Sequence, residues 1–144
     1  MRAVVQRVLE ASVEVDGARV GAIGRGLLVF VGCAPGDDAS KADALARRLV
    51  QARIFPDAAG RMNLDVIATG GSVLAVSQFT LLGDTSQRRP YFGGALEPAA
   101  AARLYDRFLA AVKQLNVPIA AGVFGAHMRV ASVNDGPVTL IYEE

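Results

Sequence analysis

The spacing of hydrophobic and polar residues changes period several times along this chain. Arg2–Val8 and Ser12–Val15 are Val-rich and alternate as strands do. Asp16-Gly17 sits between Val-Glu-Val and Ala-Arg-Val, which predicts a two-residue hairpin turn. Leu27–Gly32 reads as another strand. From Asp37 or Asp38 the spacing becomes helical to about Arg53, with Ala42, Leu45, Leu49 and Ala52 on one stripe and Arg47 and Arg48 facing out. Phe55-Pro56 ends that helix, Asp57–Gly60 is a turn, and Arg61–Ala68 reads as a short strand or loop. A second helix starts at Glu97-Pro98, carries the stripe Ala101, Leu104, Tyr105, Phe108, Val112 and Leu115, and stops at Asn116-Val117-Pro118. The last third returns to strands, Met128–Val133 and Val138–Tyr142, with turn chemistry at Asn134–Pro137 between them. Pro137 lacks an N–H, which confines it to the start of a strand or to a sheet edge. The pattern predicts a single α+β domain over residues 1–144, with a largely antiparallel, barrel-like sheet and two main helices.

One stretch departs from simple alternation. Val73-Leu74-Ala75-Val76 is a continuous apolar run that passes directly into Ser77, Gln78, Phe79 and Thr80. Such a run predicts a buried strand whose polar end opens on a surface or cleft. Its side chains and backbone N–H groups could hold a polar substrate there. On pattern alone the plainer reading is the default: a strand end whose hydroxyls and amide satisfy neighbouring backbone groups.

Composition narrows the chemistry. Residues 1–144 can bury a real core, and the 52% hydrophobic content is mostly Ala and Val. Runs such as Leu27–Val31 are too short to span a bilayer, and Met1-Arg2 leads straight into strand pattern without a signal-peptide core. The expectation is a cytoplasmic chain with no membrane partner. One cysteine, Cys33, and one histidine, His127, provide neither a disulfide nor a His/Cys metal cluster, so no metal and no cofactor are expected. The net charge of +1 argues against a broad grip on duplex nucleic acid, while leaving room for contact with a nucleic-acid end. Gly21, Gly24 and Gly26 precede a strand rather than a helix, so they read as a turn and not a phosphate loop.

Two further features stay open on residue type alone. Arg88, Arg89, Pro90, Tyr91 and Phe92, within Gly83–Gly94, could serve a phosphate and a stacked base, or form a solvated turn with aromatics tucked inward. Arg7 shares a strand face with Val5 and Leu9 if the alternation is regular. A guanidinium buried there needs carbonyl or carboxylate partners, and pattern alone favours an exposed edge-strand arginine.

Ser-Gln-Phe-Thr-Leu at 77–81, together with Asn-Asp-Gly-Pro-Val-Thr at 134–139, resembles the D-aminoacyl-tRNA deacylase family, also called D-tyrosyl-tRNA deacylases. The likeness extends to the opening Met-Arg-Ala-Val-Val-Gln-Arg-Val, both helices, and Phe124-Gly125-Ala126 before a last hairpin. It implies a homodimer with active sites at the subunit interface. Ser77, Gln78, Phe79 and Thr80 would form the floor of one site, and Gly136-Pro137, in cis, would reach in from the other subunit. The substrate would be aminoacyl-tRNA, held by its 3′-terminal adenosine and esterified amino acid, with glycyl-tRNA mischarged on tRNA-Ala also accepted. Arg7 matches an arginine that braces the Gly-Pro loop.

The resemblance favours water attack assisted by the tRNA 2′-OH, with Thr80 a hydrogen-bonding residue, because no activating base is evident for a threonine nucleophile. His127 stands where an acidic residue is usual, and Tyr91 where serine is common. Three other readings compete. One is a trans-Gly-Pro deacylase of L-aminoacyl-tRNA, against which the D-type position of Arg7 argues. Another is a non-catalytic dimer that binds RNA 3′ ends, and the third a general small-ester hydrolase using Thr80.

Overall fold

The computed structural model describes residues 1–144. Its frame is one long strand, β1 (Arg2–Val15), which turns at Asp16-Gly17 into β2 (Ala18–Ile23). Both turn residues have positive φ, 50° and 80°, which matches the right-handed twist of a two-residue hairpin. Strand β3 (Gly26–Gly32) lies antiparallel to the first half of β1, and β2 to the second half. Helix α1 (Ala39–Val50) follows, then a small ribbon of β4 (Phe55–Pro56) and β5 (Met62–Leu64). Strand β6 (Ser72–Ser77), a 3-10 turn (Phe79–Leu82), α2 (Pro98–Gln114), β7 (Ile119–Ala121) and β8 (Arg129–Glu143) complete the chain.

The sheet is mixed rather than largely antiparallel. β6 runs parallel to β3, and β7 parallel to β6. The reason is the two helices: α1 lies in the connection from β3 to β6 and α2 in that from β6 to β7, and each crossover returns the chain to the same end of the sheet. Both helices pack on one face, over Val5, Leu27, Val29, Val73 and Ala75. The other face closes on a second cluster of Val8, Ala11, Val13, Leu28, Leu74 and Val76. β3 and β6 are therefore buried on both sides, which explains their continuous apolar runs. β2 curls back to β7: a Cβ on Gly21 would stand 2.9 Å from Ala121 O. The curl leaves the sheet nearly closed into a barrel.

The helices start where capping chemistry predicts. Asp38 accepts from Lys41 N at 3.0 Å, and Glu97 from Ala99 N and Ala100 N at 2.9 and 3.1 Å. α1 ends at Val50 rather than near Arg53, because Pro56 keeps Phe55 extended and Ile54 is already packed into the core. Tyr105 of α2 donates to Ala75 O at 2.9 Å and pins the helix to β6.

The C-terminal segment also differs from the expected hairpin. β8 is one continuous strand antiparallel to β1 along its whole length. Its register passes from Val8–Asn134 to Gln6–Thr139, so residues 135–138 bulge out opposite Arg7 alone. The turn-forming residues are there, but β1 continues past them as a template, and the strand resumes on the same partner. For the same reason Arg2–Val8 and Ser12–Val15 belong to a single strand. β8 has β1 on one side only; its other edge is unpaired, and Val133, Leu140 and Ile141 are exposed beside it.

Candidate active site

The floor begins where β6 stops. Ser77 is still paired with Val31, and Gln78 N donates to Val31 O at 2.8 Å. At Gln78 the backbone turns (φ −146°, ψ 79°) into the 3-10 turn, which has no side-chain cap. The first N–H groups of such a turn, those of Phe79 and Thr80, have no acceptor within it. Gln78 Nε2 donates to Thr80 Oγ1, and Thr80 O accepts from Gly83 N at 3.0 Å. Thr80 is exposed, and the Phe79 ring stands 58% exposed with its edge on Phe92, centroids 5.4 Å apart. Two groups outside the motif seat this turn. Arg2 Nη1 donates to Leu81 O at 2.8 Å, and Gly32 lies so close beneath that a Cβ there would stand 2.9 Å from Gln78 O.

Nothing that could take a proton bonds to Thr80: its side-chain partner is the amide of Gln78, which has no basic nitrogen. Nearby Cys33 is no alternative nucleophile. Burial, with Asp37 adding to it, pushes its thiol up to about 11, so it stays protonated at neutral pH. Tyr105, below β6, is also held protonated by burial.

The second motif lies in the β8 bulge. The Gly136–Pro137 peptide bond is cis. Arg7, 8% exposed, sits directly beneath: Nη1 donates to Ile54 O at 2.6 Å, and Nε donates to Asp135 O at 3.1 Å and lies 3.2 Å from Asp135 Oδ2. The exposed edge-strand reading of Arg7 is thus overturned. β8 leaves β1 opposite Arg7, and a second register shift between Val8 and Glu10 leaves Leu9 unpaired, so Leu9 rather than Arg7 faces solvent. Gly136 has φ +132°, and a Cβ on it would stand 3.1 Å from Arg7 Nη2 and 2.8 Å from Val138 Cγ2. From the other side Asn134 spans the bulge, accepting from Val138 N at 3.2 Å and donating to Thr139 Oγ1 at 3.0 Å.

The two motifs do not meet within one chain. β6 is separated from β8 by β3 and β1, and Gly136 is level with Arg7 while Ser77 is level with Ala3. At strand spacings of about 4.8 Å across and 3.3 Å along, they stand roughly 15–20 Å apart. Arg2, Gly32 and Ile54 contact these segments although no role was readable for them in the sequence, and Asn134 was readable only as a turn and motif residue. Only the Gly at the end of an apolar run and the Asn opening a turn gave any signal.

A family model described as D-Tyr-tRNA(Tyr) deacylase matches residues 4–143. The chain belongs to the D-aminoacyl-tRNA deacylase family. It is 53% identical over 144 residues to a D-aminoacyl-tRNA deacylase of Chloroflexus aurantiacus, covering 99% of this chain and 90% of that one. It is 54% identical over 141 residues to one of Deinococcus radiodurans, covering 97% of each. Among solved structures, the c-Myc DNA unwinding element binding protein superposes with a TM-score of 0.95 at 37% identity, covering 100% of this chain and 99% of that one. The chain is accordingly an enzyme, a hydrolase with D-aminoacyl-tRNA deacylase activity. No helix is long and apolar enough to cross a membrane.

Proposed function

We propose that two copies of this chain form each active site, one supplying Ser77–Thr80 and the other Gly136-Pro137. The observation that carries this reading is the separation of the two motifs within one chain, beside the unpaired, partly apolar edge of β8. A twofold interface sets a patch of one copy against a distant patch of the other, and does so twice per dimer.

In this reading the 3′-terminal adenosine of an aminoacyl-tRNA lies against the floor. The N–H groups of Phe79 and Thr80 point at the ester carbonyl oxygen and hold it as negative charge develops. Gln78 binds the ribose or ester region. Water attacks the carbonyl carbon, helped by the ribose 2′-OH; the bond to the ribose oxygen breaks, and that oxygen takes a proton as the free amino acid leaves. Thr80 positions and does not attack. Carbonyls of the Gly136-Pro137 segment accept from the α-ammonium, so an L side chain is driven into that segment while a D side chain points away. Glycine, with no side chain, escapes the filter, which makes glycyl-tRNA a second substrate. Arg7 braces the segment through Asp135 and Ile54. The reaction needs no cofactor or metal, and its setting is the cytoplasm.

The test has two arms. Purified protein should release amino acid from D-tyrosyl-tRNA and not from L-tyrosyl-tRNA; release from both would remove the chiral filter from Gly136-Pro137. Mixing an inactive floor variant with an inactive Gly136 variant, after subunit exchange, should restore about a quarter of the sites, because one site of each mixed dimer is then intact. No recovery would place each site within one chain.

A further inference from the structure

Beside the floor, the segment from Asp84 to Phe92 forms an open bowl of about 540 Å³ that includes Ser86, Arg89 and Tyr91. Its base is fixed by two backbone bonds, Asp84 N to Tyr91 O at 2.8 Å and Tyr91 N to Asp84 O at 3.0 Å. The Tyr91 ring lies so close over Gly93 that a Cβ there would stand 2.3 Å from its Cζ. The ring end is thus held against the Gly93 backbone while the residue as a whole is 69% exposed. That is the form of a stacking platform for a planar ring.

The charge fits the same ligand. Arg89 lines the bowl and Arg88 precedes it; both are exposed, and neither is tied up in an ion pair, so both guanidinium groups are free to meet a phosphate. The bowl's carboxylate, Asp84, is turned back on its own loop and accepts from Ser86 N at 2.8 Å. Continuity with the floor is direct: the Phe92 ring meets Phe79, and a Cβ on Gly83 would stand 2.8 Å from that ring and 3.0 Å from Thr80 O.

We infer that this bowl takes the nucleotide on the 5′ side of the terminal adenosine of a single-stranded RNA end, its base stacked on Tyr91 and its phosphate held by Arg88 and Arg89. The inference rests on the reading that Ser77–Thr80 receives the terminal aminoacyl-adenosine. Base stacking tolerates any base, so the bowl supplies grip and register rather than sequence selection.

The experiment compares D-tyrosyl-tRNA with D-tyrosyl-adenosine, which carries the same ester and no 5′ nucleotide. With Tyr91→Ala, KM for the tRNA should rise about tenfold at unchanged kcat, and Tyr91→Phe should recover most of that affinity. The double variant Arg88→Gln/Arg89→Gln should raise KM for the tRNA and flatten the log–log salt dependence by about 0.7 for each phosphate no longer held. Both effects should be confined to the substrate with the 5′ nucleotide. Variants that leave the tRNA kinetics unchanged, or that weaken both substrates equally, overturn the bowl's role. A wild-type protein that turns over the tRNA ester but never the adenosine ester, at any concentration, overturns the terminal-adenosine reading on which it rests.

Discussion

The floor and the Gly-Pro bulge are both short polar segments at the limit of a strand, yet they are held in opposite ways. Ser77–Thr80 continues a strand buried on both faces, and backbone bonds and close packing on Gly32 keep it in place. Asp135–Pro137 leaves an edge strand and is held by side chains: Arg7 beneath it and Asn134 across it. The floor should therefore tolerate changes of side chain and fail when the backbone is displaced. The bulge should fail when a single long-range partner is removed.

The largest effect is expected at Gly136. An alanine there has to adopt φ +132° and places its Cβ 3.1 Å from Arg7 Nη2 and from Val138 N. A shift of about 1 Å in a positioning element can cost about a hundredfold in rate, so D-tyrosyl-tRNA turnover should fall at least that far. Thermal melting should move by only a few degrees, because Gly136 itself lies outside both hydrophobic clusters and only Val138, at the end of the bulge, reaches the main one. Wild-type turnover in this variant would break the assignment of the bulge to the site.

Arg7 comes next. Arg7→Met keeps the packing and removes the donors, leaving Ile54 O and Asp135 O without them. Two unpaired groups, one of them buried, should cost about 2–3 kcal/mol in urea unfolding, with weaker discrimination against L-tyrosyl-tRNA. Arg7→Lys should recover only part, since a single ammonium cannot span both partners as the guanidinium fork does. Equal stability and unchanged D-over-L preference in both variants would sink the bracing role.

This contrast also explains how much was legible beforehand. The floor could be read because its cause is local: an apolar run ending in polar residues is visible in one stretch of sequence. Both helices, the Asp16-Gly17 hairpin and the cap of the first helix share that property. The bulge could not be read as a bulge, because its shape depends on β1 continuing past Val8 some 125 residues earlier in the chain. Arg7 had the same difficulty in reverse. Its burial follows from Ile54 and Asp135, which no periodicity connects to it. The parallel pairing of β6 was missed as well, since it follows from where the helices return the chain and not from the strand's own residues. The two motifs were joined in the sequence only by family resemblance, and their separation within one chain emerged only with the sheet order.

Gly32 tests the backbone side of the contrast with a smaller effect. A methyl there meets Leu82 Cδ2, which can rotate away, but also Gln78 O, which cannot move without the turn. Gly32→Ala should cost about 1–3 kcal/mol and lower kcat on the D-substrate with little change in KM. If stability falls while kcat holds, Gly32 only packs against the turn and does not set its position.

The smallest effect is expected at Thr80, the residue whose chemistry looks most suggestive. Thr80→Val keeps the branched shape and removes the hydroxyl that accepts from Gln78 Nε2. If that hydroxyl only orients Gln78, removing it amounts to one ordinary hydrogen bond, and kcat should fall by less than about tenfold. A nucleophile is different in kind, because without its oxygen no covalent intermediate can form and the drop should exceed about a thousandfold. Thr80→Ser separates the two further. It restores the oxygen without the methyl, so a nucleophilic hydroxyl would regain rate in serine and not in valine, whereas an orienting one would leave all three proteins within about an order of magnitude. The second pattern is expected, because in the proposed mechanism the floor acts through backbone groups that none of these substitutions removes.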